Sequence, residues 1–347
     1  METGGAAPLR VVVVGATGNV GTSVVRALAA DPRVGSVLGL ARRRPDMDVP
    51  KTTWEAVDVS DDDAGPALAR HFAEASAVVH LAWRFQPTHD PVTTWRANVL
   101  GSLRVFDAVA AANVPALVYA SSVGAYAPGP KSGPGVSEAW PTHGWPEAAY
   151  CREKAYLERV LDAYEREHPE VRVVRMRPGF LFKEESASEQ RRIFAGKFFP
   201  GALLRPGLIP VVPDLEGLRF QTLHTDDAAQ AYRLAVLADV RGAFNLAADP
   251  VVDARQLAGL LGARTVRLPR GAVRGALSAA WRLRLAPASP GLFDAVLRLP
   301  VMSAERARRE LGWQPTTSSL EALEAFLRGV RTGAGDQTAP LSGRRIG

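Results

Sequence analysis

An apolar, β-branched run near the start of the chain leads straight into three glycines spaced three residues apart. Leu9–Val14 has the composition of a strand buried on both faces, and a helical pattern follows at once. In such a turn Gly15 allows a sharp reversal, Gly18 lets backbone approach a pyrophosphate, and Gly21 lets the helix pack close to the strand. The helix N-terminus adds free N–H groups and partial positive charge. This pattern predicts dinucleotide binding, and a tight turn without a ligand is the alternative.

Strand and helix patterns alternate through the first half of the chain, which is the order expected of a parallel sheet with helices on both faces. The predicted strands are Leu9–Val14, Val37–Leu40, Thr52–Val57, Ala77–Ala82, Ala116–Ala120, Val171–Met176 and Ala243–Leu246. The predicted helices are Val20–Ala30, Ala64–Glu74, Thr93–Ala112, Ala148–Glu167, Thr225–Ala238, Asp253–Leu261 and Ser303–Leu311. The predicted fold class is therefore α/β, a Rossmann-type doubly wound parallel sheet.

The chain has 347 residues, which suits two domains. Beyond the sixth predicted strand the alternation stops, and Gly, Pro and aromatic residues become frequent, as in a loop-dominated substrate region. We expect an NAD(P)-binding domain, a smaller C-terminal substrate-binding lobe and a Gly-, Ser-, Pro- and Arg-rich flexible tail. Their expected bounds are 8–177 with 220–248 returning to it, 178–219 with 249–330, and 331–347.

The end of the second predicted strand bears on which dinucleotide binds. NAD-binding units place an acidic residue about 20 residues beyond the glycines, where it binds the adenosine ribose. Here that place holds Ala41, followed by Arg42, Arg43 and Arg44. An arginine cannot accept a hydrogen bond from a ribose hydroxyl, but it holds a 2′-phosphate through charge-assisted hydrogen bonds. The segment favours NADP; the alternative is that the arginines form a solvated loop and that either NADP or NAD fits. Asp58, after the third strand, is expected to accept from the adenine amino group.

Tyr150 and Lys154 stand four residues apart at the start of a predicted helix, on one face. A free tyrosine has a pKa of about 10, and a nearby ammonium favours the phenolate and lowers that pKa. Ser122 follows a predicted strand, at the sheet edge where open α/β folds bind ligands. Together these residues predict that Ser122 orients a substrate oxygen while Tyr150 moves its proton. A surface Tyr–Lys pair is the alternative for the motif taken alone.

With these motifs in this order, the sequence resembles the extended branch of the short-chain dehydrogenase/reductase superfamily, the NAD-dependent epimerase/dehydratase-like proteins. The matching segments are the glycine loop, Val79-His80-Leu81-Ala82, Asn98 within Arg96–Gly101, Arg177-Pro178-Gly179, Leu223–Asp227 and Glu310–Pro315. The resemblance implies that Ser122, Tyr150 and Lys154 carry catalysis, with Lys154 also anchoring a ribose. With the residue-based arguments above, the expected cofactor contacts are Gly15, Thr17, Gly18, Asn19, Val20, Gly21, Arg42, Arg43, Asp58, Val59, Leu81, Ala82, Trp83, Asn98, Tyr150, Lys154 and Pro178.

Two departures from the family pattern bear on the substrate. Sugar dehydratases carry an acidic residue just after the serine segment, whereas Val123 and Gly124 follow Ser122 here, which disfavours 4,6-dehydration. The Arg that grips a nucleotide diphosphate in many epimerases is replaced by Phe220, with Arg219 one residue away. We therefore expect an NAD(P)-dependent oxidoreductase that moves hydride between nicotinamide and a carbonyl or alcohol carbon of a small-molecule or sugar-type substrate. A nucleotide-sugar epimerase and a non-catalytic NADP-sensing regulator are the alternatives.

Composition argues against several other classes of protein. The single cysteine, Cys151, excludes an intramolecular disulfide framework, and the six histidines lack ligand spacing, so no metal site is expected. The net charge of +6 comes from scattered arginines without aromatic interleaving, so we expect no nucleic-acid partner. No stretch suits a secretory signal or a membrane span, and we expect no membrane partner and a cytoplasmic protein. The resemblance implies a homodimer through Thr93–Ala112 and Ala148–Glu167.

Overall fold

The structure, a computed structural model, describes residues 7–196 and 205–343. Its strands are β1 (Leu9–Val14), β2 (Val34–Ala41), β3 (Thr52–Ala56), β4 (Ala77–His80), β5 (Ala116–Ala120), β6 (Arg172–Pro178), β7 (Phe180–Phe182), β8 (Val211–Asp214), β9 (Arg219–Phe220), β10 (Thr222–His224), β11 (Gly242–Leu246), β12 (Val252–Asp253) and β13 (Arg264–Arg267). One seven-stranded parallel sheet has the order β11-β6-β5-β4-β1-β2-β3. The other strands pair as β7 with β10, β8 with β13 and β9 with β12.

The α-helices cover both faces of this sheet and continue through the C-terminal part of the chain. They are α1 (Asn19–Ala29), α2 (Ala64–Phe72), α3 (Pro91–Trp95), α4 (Gly101–Ala111), α5 (Ala149–Glu167), α6 (Ala187–Phe194), α7 (Thr225–Leu237), α8 (Ala254–Leu261), α9 (Arg270–Arg282), α10 (Pro290–Val296), α11 (Glu305–Leu311) and α12 (Ser319–Thr332). A π-helical turn, Arg96–Leu100, joins α3 to α4, so the single helix predicted over Thr93–Ala112 is interrupted there.

The valines of β1 show why the sheet is covered on both sides. Val11 and Val13 enter a core with α1 and α7, while Val12 and Val14 enter a second core with α2, α4 and α5. All four are at most 1% exposed. Burying such a side chain contributes about 2 kcal/mol, so a continuous apolar run is stable only between two helical layers. The predicted fold class is confirmed.

Several elements were not predicted from the sequence. The segment expected to be dominated by loops contains β7 and α6, and the C-terminal part of the chain contains α9, α10 and α12. α12 begins with a capping box in which Ser318 accepts from the Glu321 N–H and Glu321 accepts from the Ser318 N–H. Residues 333–343, expected to form part of a flexible tail, are packed: Thr338 and Leu341 are fully buried. Their composition does not reveal the distant residues that they contact.

The strand order reverses at the boundary between β1 and β4, which makes a crevice beyond the carboxyl ends of these strands. The glycine loop leaves β1 there, residues 81–84 leave β4, and Ser121–Ser122 leave the neighbouring β5. The topology therefore places three of the predicted site segments at one edge of the sheet. In the described ranges, no helix has the length and apolar character that crossing a membrane requires.

Candidate active site

The glycine loop is held so tightly that side chains would not fit at two of its positions. Gly15 has φ +85°, and a Cβ built on it would lie 2.5 Å from the backbone N of Ala82. A Cβ on Gly21 would lie 2.2 Å from the carbonyl oxygen of Gly15. Gly18 has no such crowding, and no side chain caps the helix that begins after it. The first N–H groups of α1 are therefore free of side-chain caps, as phosphate binding requires.

A cleft at this edge of the sheet is bordered by many of the predicted cofactor contacts. These are Gly15, Thr17, Gly18, Arg42, Arg43, Asp58, Val59, Leu81, Ala82, Trp83 and Asn98. Six other predicted contacts do not border it: Asn19, Val20, Gly21, Tyr150, Lys154 and Pro178. Glu189, Ala339 and Pro340 do border it and were missed from the sequence. They come from α6 and the C-terminal segment, and no local motif signals that these elements reach the glycine loop.

At the far end of the cleft, Arg42 and Arg43 are exposed and have no hydrogen-bond or ion-pair partner within the described chain. The next arginine, Arg44, is paired with Glu55. Asp58 accepts hydrogen bonds from the N–H and the hydroxyl of Ser60 at 2.9 and 2.6 Å. Two unpaired guanidinium groups therefore border the cleft where the predicted adenosine ribose would lie.

Ser122 and Tyr150 lie together beside this cleft. Ser122 Oγ accepts from the Gly124 N–H at 3.0 Å, and the Tyr150 ring lies beside the same glycine: a Cβ built on Gly124 would lie 3.4 Å from Ser122 Oγ and 2.6 Å from Tyr150 Cε1. The Tyr150 ring stacks on Phe85, with 4.9 Å between centroids. Burial raises the pKa of Tyr150 above its usual value, and the neighbouring Ser122 hydroxyl opposes that shift. The phenol is therefore protonated at neutral pH.

Lys154 is on the same helix but does not point to the phenol. Its Nζ donates to the carbonyl oxygen of Ala120 at 2.5 Å and lies 3.5 Å from the centroid of the Trp83 ring. Burial lowers the pKa of Lys154 well below its usual value, and the carboxylates of Glu153 and Glu158 oppose the shift. The sequence predicted that Lys154 lowers the pKa of Tyr150. In this arrangement the pKa of Tyr150 shifts the other way, because burial outweighs any effect of the ammonium.

Trp83 connects the cleft to both of these side chains. Its ring borders the cleft, covers the Lys154 ammonium and meets the Tyr150 ring edge-on, with 5.6 Å between centroids. Trp83 Nε1 is buried and has no hydrogen-bond partner in the described part of the chain. A buried donor without an acceptor is costly, so this position favours a ligand that brings an acceptor.

Asn98 holds the backbone of the loop that carries Trp83. Its Oδ1 accepts from the Arg84 N–H at 2.7 Å, and its Nδ2 donates to the Arg84 carbonyl at 2.9 Å. The same Nδ2 donates to Glu153 at 2.7 Å, and Thr94 donates to the other oxygen of that carboxylate. Asn98 lies in the π-helical turn, a feature that is rare and frequent at functional sites. The turn therefore fixes the loop geometry next to the cleft.

A buried ion-pair network supports the strand ends beneath the site. Glu158 is fully buried and accepts two hydrogen bonds from Arg177, at 2.9 and 2.8 Å, and one from Ser121 at 2.5 Å. Burial disfavours its ionised form, but hydrogen bonds and charges from Arg177 and Arg175 hold the pKa of Glu158 at about 2. Arg177 also donates to Tyr126. The network ties α5 to the ends of β5 and β6, next to Ser122.

A second, smaller pocket lies on the other side of Val123. It is lined by aromatic, aliphatic and cationic residues, among them Lys131, Phe180, Arg219, Phe220 and Gln221. Lys131 donates to the carbonyls of Arg219 and Val296 at 3.0 and 2.6 Å, and burial lowers its pKa to about 7. This pocket adjoins the Ser122 segment at Val123 and is also lined by Val296, Leu299 and Met302 from the C-terminal part of the chain.

We expect Gly124→Ala to lower turnover while leaving cofactor affinity unchanged. A Cβ at this position would lie 2.6 Å from Tyr150 Cε1, so the ring must shift against Phe85. Misplacement of a reacting group by a fraction of an ångström to one ångström costs about 10- to 100-fold in rate. Steady-state kinetics with a cofactor-binding titration measures both effects. Gly65→Ala, in α2 with no atom within 4 Å of the added Cβ, is the matched control; equal turnover in the two variants would contradict the expectation.

In the described ranges, no group of three or more His, Cys, Asp or Glu side chains is arranged to hold a metal ion. The buried Cys151 has its pKa raised to about 12 by burial, so its thiol is protonated and unreactive at neutral pH.

Comparison with known proteins identifies the family. The model of the NAD dependent epimerase/dehydratase family matches residues 11–247. An uncharacterized protein of Mycobacterium tuberculosis is 25% identical over 329 residues, which cover 93% of this chain and 84% of that protein. L-arabinose 1-dehydrogenase (NAD(P)+) of Haloferax volcanii is 34% identical over 113 residues, or 33% of this chain and 41% of that protein.

Solved structures share the fold at low sequence identity. UDP-glucose 4-epimerase of Thermotoga maritima, crystallised with UDP-glucose, has a TM-score of 0.67 at 18% identity, covering 93% of this chain and 99% of that chain. The same enzyme of Thermus thermophilus, in complex with NAD, has a TM-score of 0.65 at 22% identity with the same coverage. The family match spans more than half of the chain and confirms the resemblance seen in the sequence. The chain belongs to the NAD-dependent epimerase/dehydratase family.

Proposed function

We propose that this protein is an NADP(H)-preferring oxidoreductase that interconverts a carbonyl and an alcohol, with Tyr150 as its proton donor and acceptor. The observation that carries the proposal is that Ser122 and Tyr150 lie together beside Gly124, and that the Tyr150 ring contacts Trp83, which borders the dinucleotide-type cleft. Regulators built on this fold typically lack the Tyr or the Lys, and both residues are present here.

The cleft fits a dinucleotide on three counts. There is no room for a side chain at Gly15 or Gly21, so the turn presents only backbone atoms. No side chain caps the first N–H groups of α1. Trp83 Nε1 has no hydrogen-bond acceptor in the described part of the chain. The glycine loop would hold the pyrophosphate, and Arg42 and Arg43 would hold a 2′-phosphate. When bound, the nicotinamide supplies or accepts the hydride that the reaction requires.

The protein's own side chains would donate the proton and orient the substrate oxygen. Because burial raises the pKa of Tyr150, the phenol holds its proton at neutral pH and can donate it to a carbonyl oxygen. Ser122 Oγ, which lies beside that phenol, would donate to the same oxygen and orient it. Lys154 would contribute by anchoring a ribose hydroxyl. In that role its Nζ would leave its contact with the Trp83 ring and donate to the ribose hydroxyl instead.

The smaller pocket has a volume of about 10 Å³, enough for about one water molecule, so it fits only a small group of a substrate. Phe180 and Phe220 meet edge-on there, with 5.5 Å between centroids, and Arg219 also lines it. We infer that it would receive one end of a small carbonyl compound or of a sugar-type substrate. A nucleotide-sugar epimerase is the second candidate, favoured by the fold shared with UDP-glucose 4-epimerases over nearly the whole chain.

A screen of NADPH and NADH oxidation over aldehydes, ketones and oxidised sugars tests the proposal, with UDP-sugar epimerisation assayed in parallel. Net NADPH oxidation supports the oxidoreductase, and epimerisation without net oxidation supports the second candidate. Cofactor binding without turnover on any substrate would contradict both and favour a sensing role.

The dimer predicted through the helices now defined as α3–α4 and α5 can be measured on the same sample by light scattering; the partly exposed Trp95 and Tyr156 lie on those helices.

We expect the double change Arg42→Ala with Arg43→Ala to weaken NADPH binding by about 10- to 100-fold, because charge-assisted hydrogen bonds to the 2′-phosphate are lost. NADH carries no such phosphate, so its affinity should stay the same. Isothermal titration of both cofactors gives the comparison. Arg44→Ala is the matched control, since that guanidinium is already paired with Glu55. Tighter binding of NADH than of NADPH by the unaltered protein would overturn the preference.

A further inference from the structure

The chain beyond α12 closes into a compact loop, residues 333–343, which we call the C-terminal strap. Gly333 ends α12 with φ +72°, and a Cβ on Gly335 would lie 2.1 Å from the N of Gly343, so the two ends of the loop touch. Inside it, Asp336 N–H donates to the Leu341 carbonyl at 3.0 Å, and Leu341 N–H donates to the Thr338 carbonyl at 3.1 Å. A loop with adjoining ends and its own hydrogen bonds is an ordered unit.

One side of the strap is fastened to the glycine loop and α1. Thr338 is fully buried, and its hydroxyl donates to the carbonyl oxygen of Thr17 at 2.8 Å. The Asp336 carboxylate pairs with Arg26 at 3.0 Å and is largely buried. The strap thus contacts the same turn that borders the cleft at Thr17 and Gly18.

The other side is fastened to α6. The Arg192 guanidinium donates to the carbonyls of Pro340 and Ser342 at 2.6 and 2.8 Å, and Leu341 is fully buried. Between the two attachments, Ala339 and Pro340 border the cleft. Glu189, one helical turn before Arg192, borders it as well. The strap therefore bridges α1 and α6 across one margin of the cleft.

We propose that the C-terminal strap is a wall of the dinucleotide site and slows the exchange of bound cofactor. This proposal rests on the proposed function, because it takes the cleft to be the site where the cofactor binds. Ala339 and Pro340 add apolar atoms next to a loop whose N–H groups bind phosphate, and excluding water there strengthens those interactions. Because the strap is held from both sides, a cofactor that leaves past it must break the contacts at Thr17 or at Arg192.

Truncation of the full chain tests the wall directly. One variant ends at Gly333 and lacks the strap, and the matched control ends at Gly343 and lacks only residues 344–347. Stopped-flow fluorescence follows the release of NADPH into excess ADP-ribose. We expect release to be at least about tenfold faster without the strap, since several hydrogen bonds that each contribute up to a tenfold factor are removed. The control should release NADPH at the rate of the full chain.

A point variant keeps the test informative if the shorter chain does not fold. Thr338→Val retains the buried shape but removes the hydrogen bond to Thr17, and we expect release about three- to tenfold faster. Circular dichroism and a thermal scan without cofactor verify that each variant is folded. Equal NADPH release from the full chain and Thr338→Val would overturn the role of the strap and leave the proposed function standing. A full chain that binds neither NADPH, NADH nor ADP-ribose would overturn both.

Discussion

Tyr150→Phe should reduce turnover by about 100- to 10,000-fold, the range that a positioned proton-transfer group supplies. The change removes only the hydroxyl. The ring keeps its stacking on Phe85 and its edge-on contact with Trp83, so the fold and the cleft should persist. NADPH affinity should therefore change little. Single-turnover and steady-state kinetics, with a binding titration, separate the two quantities.

The matched control for this change is Tyr164→Phe. Tyr164 lies on the same helix, is buried and donates its hydroxyl to the Phe106 carbonyl at 3.0 Å, but it lies outside the site. We expect its loss to cost stability and to leave turnover intact. Turnover retained in Tyr150→Phe, or lost equally in Tyr164→Phe, would remove Tyr150 from the proton-transfer role.

The direction of the Tyr150 pKa shift adds a pH dependence to the same experiment. Burial raises that pKa, so the phenol stays protonated as pH rises through the neutral range. The rate of carbonyl reduction should then be flat between about pH 6 and pH 9 and fall only above it. A lysine-lowered phenol would instead lose its proton, and reduction would slow within that range. The pH profile of single-turnover reduction distinguishes these two arrangements.

The parts of the cleft that could be placed from the sequence alone are those encoded by local patterns. The β1 run and its glycines specify a strand, a tight turn and a helix within about a dozen residues, and neighbouring strand ends then meet by topology alone. The same reasoning brought Arg42, Asp58 and Leu81 to one cleft. Each of these predictions needed only its own segment and the rule that parallel strands end at one edge.

The parts that were missed depend on contacts between distant segments. Glu189 and Pro340 border the cleft only because α6 and the strap fold back onto the first crossover unit, and Thr338 lies 321 residues from its partner. The environment of Lys154 likewise depends on Trp83, which comes from a different strand end. A motif can name a lysine and a tyrosine, but whether burial or charge decides their pKa values requires the packed structure.

Glu158→Gln should be the most destabilising conservative change beneath the site. The amide cannot balance Arg177, whose guanidinium is buried and makes two hydrogen bonds to this carboxylate. Leaving a buried charge without its partner costs about 3 to 5 kcal/mol. Urea unfolding measures that loss. Glu165→Gln is the control: its carboxylate pairs with Arg175 but is about one-third exposed, so it should cost less than about 1 kcal/mol.

Acid unfolding gives an independent measure of how much the Glu158 carboxylate contributes to the free energy of unfolding. The pKa of Glu158 is about 2 in the folded protein against an ordinary value of 4.5. A lowered folded-state pKa stabilises the protein above the unfolded-state value, and the contribution disappears as pH falls from 4.5 towards 2. By linkage it amounts to about 3 kcal/mol. The unaltered protein should therefore lose more stability across this window than Glu158→Gln, which has no carboxylate to protonate. Parallel pH profiles for the two proteins would show that Glu158 does not carry this stabilisation, and that the ends of β5 and β6 beside Ser122 are held by other contacts.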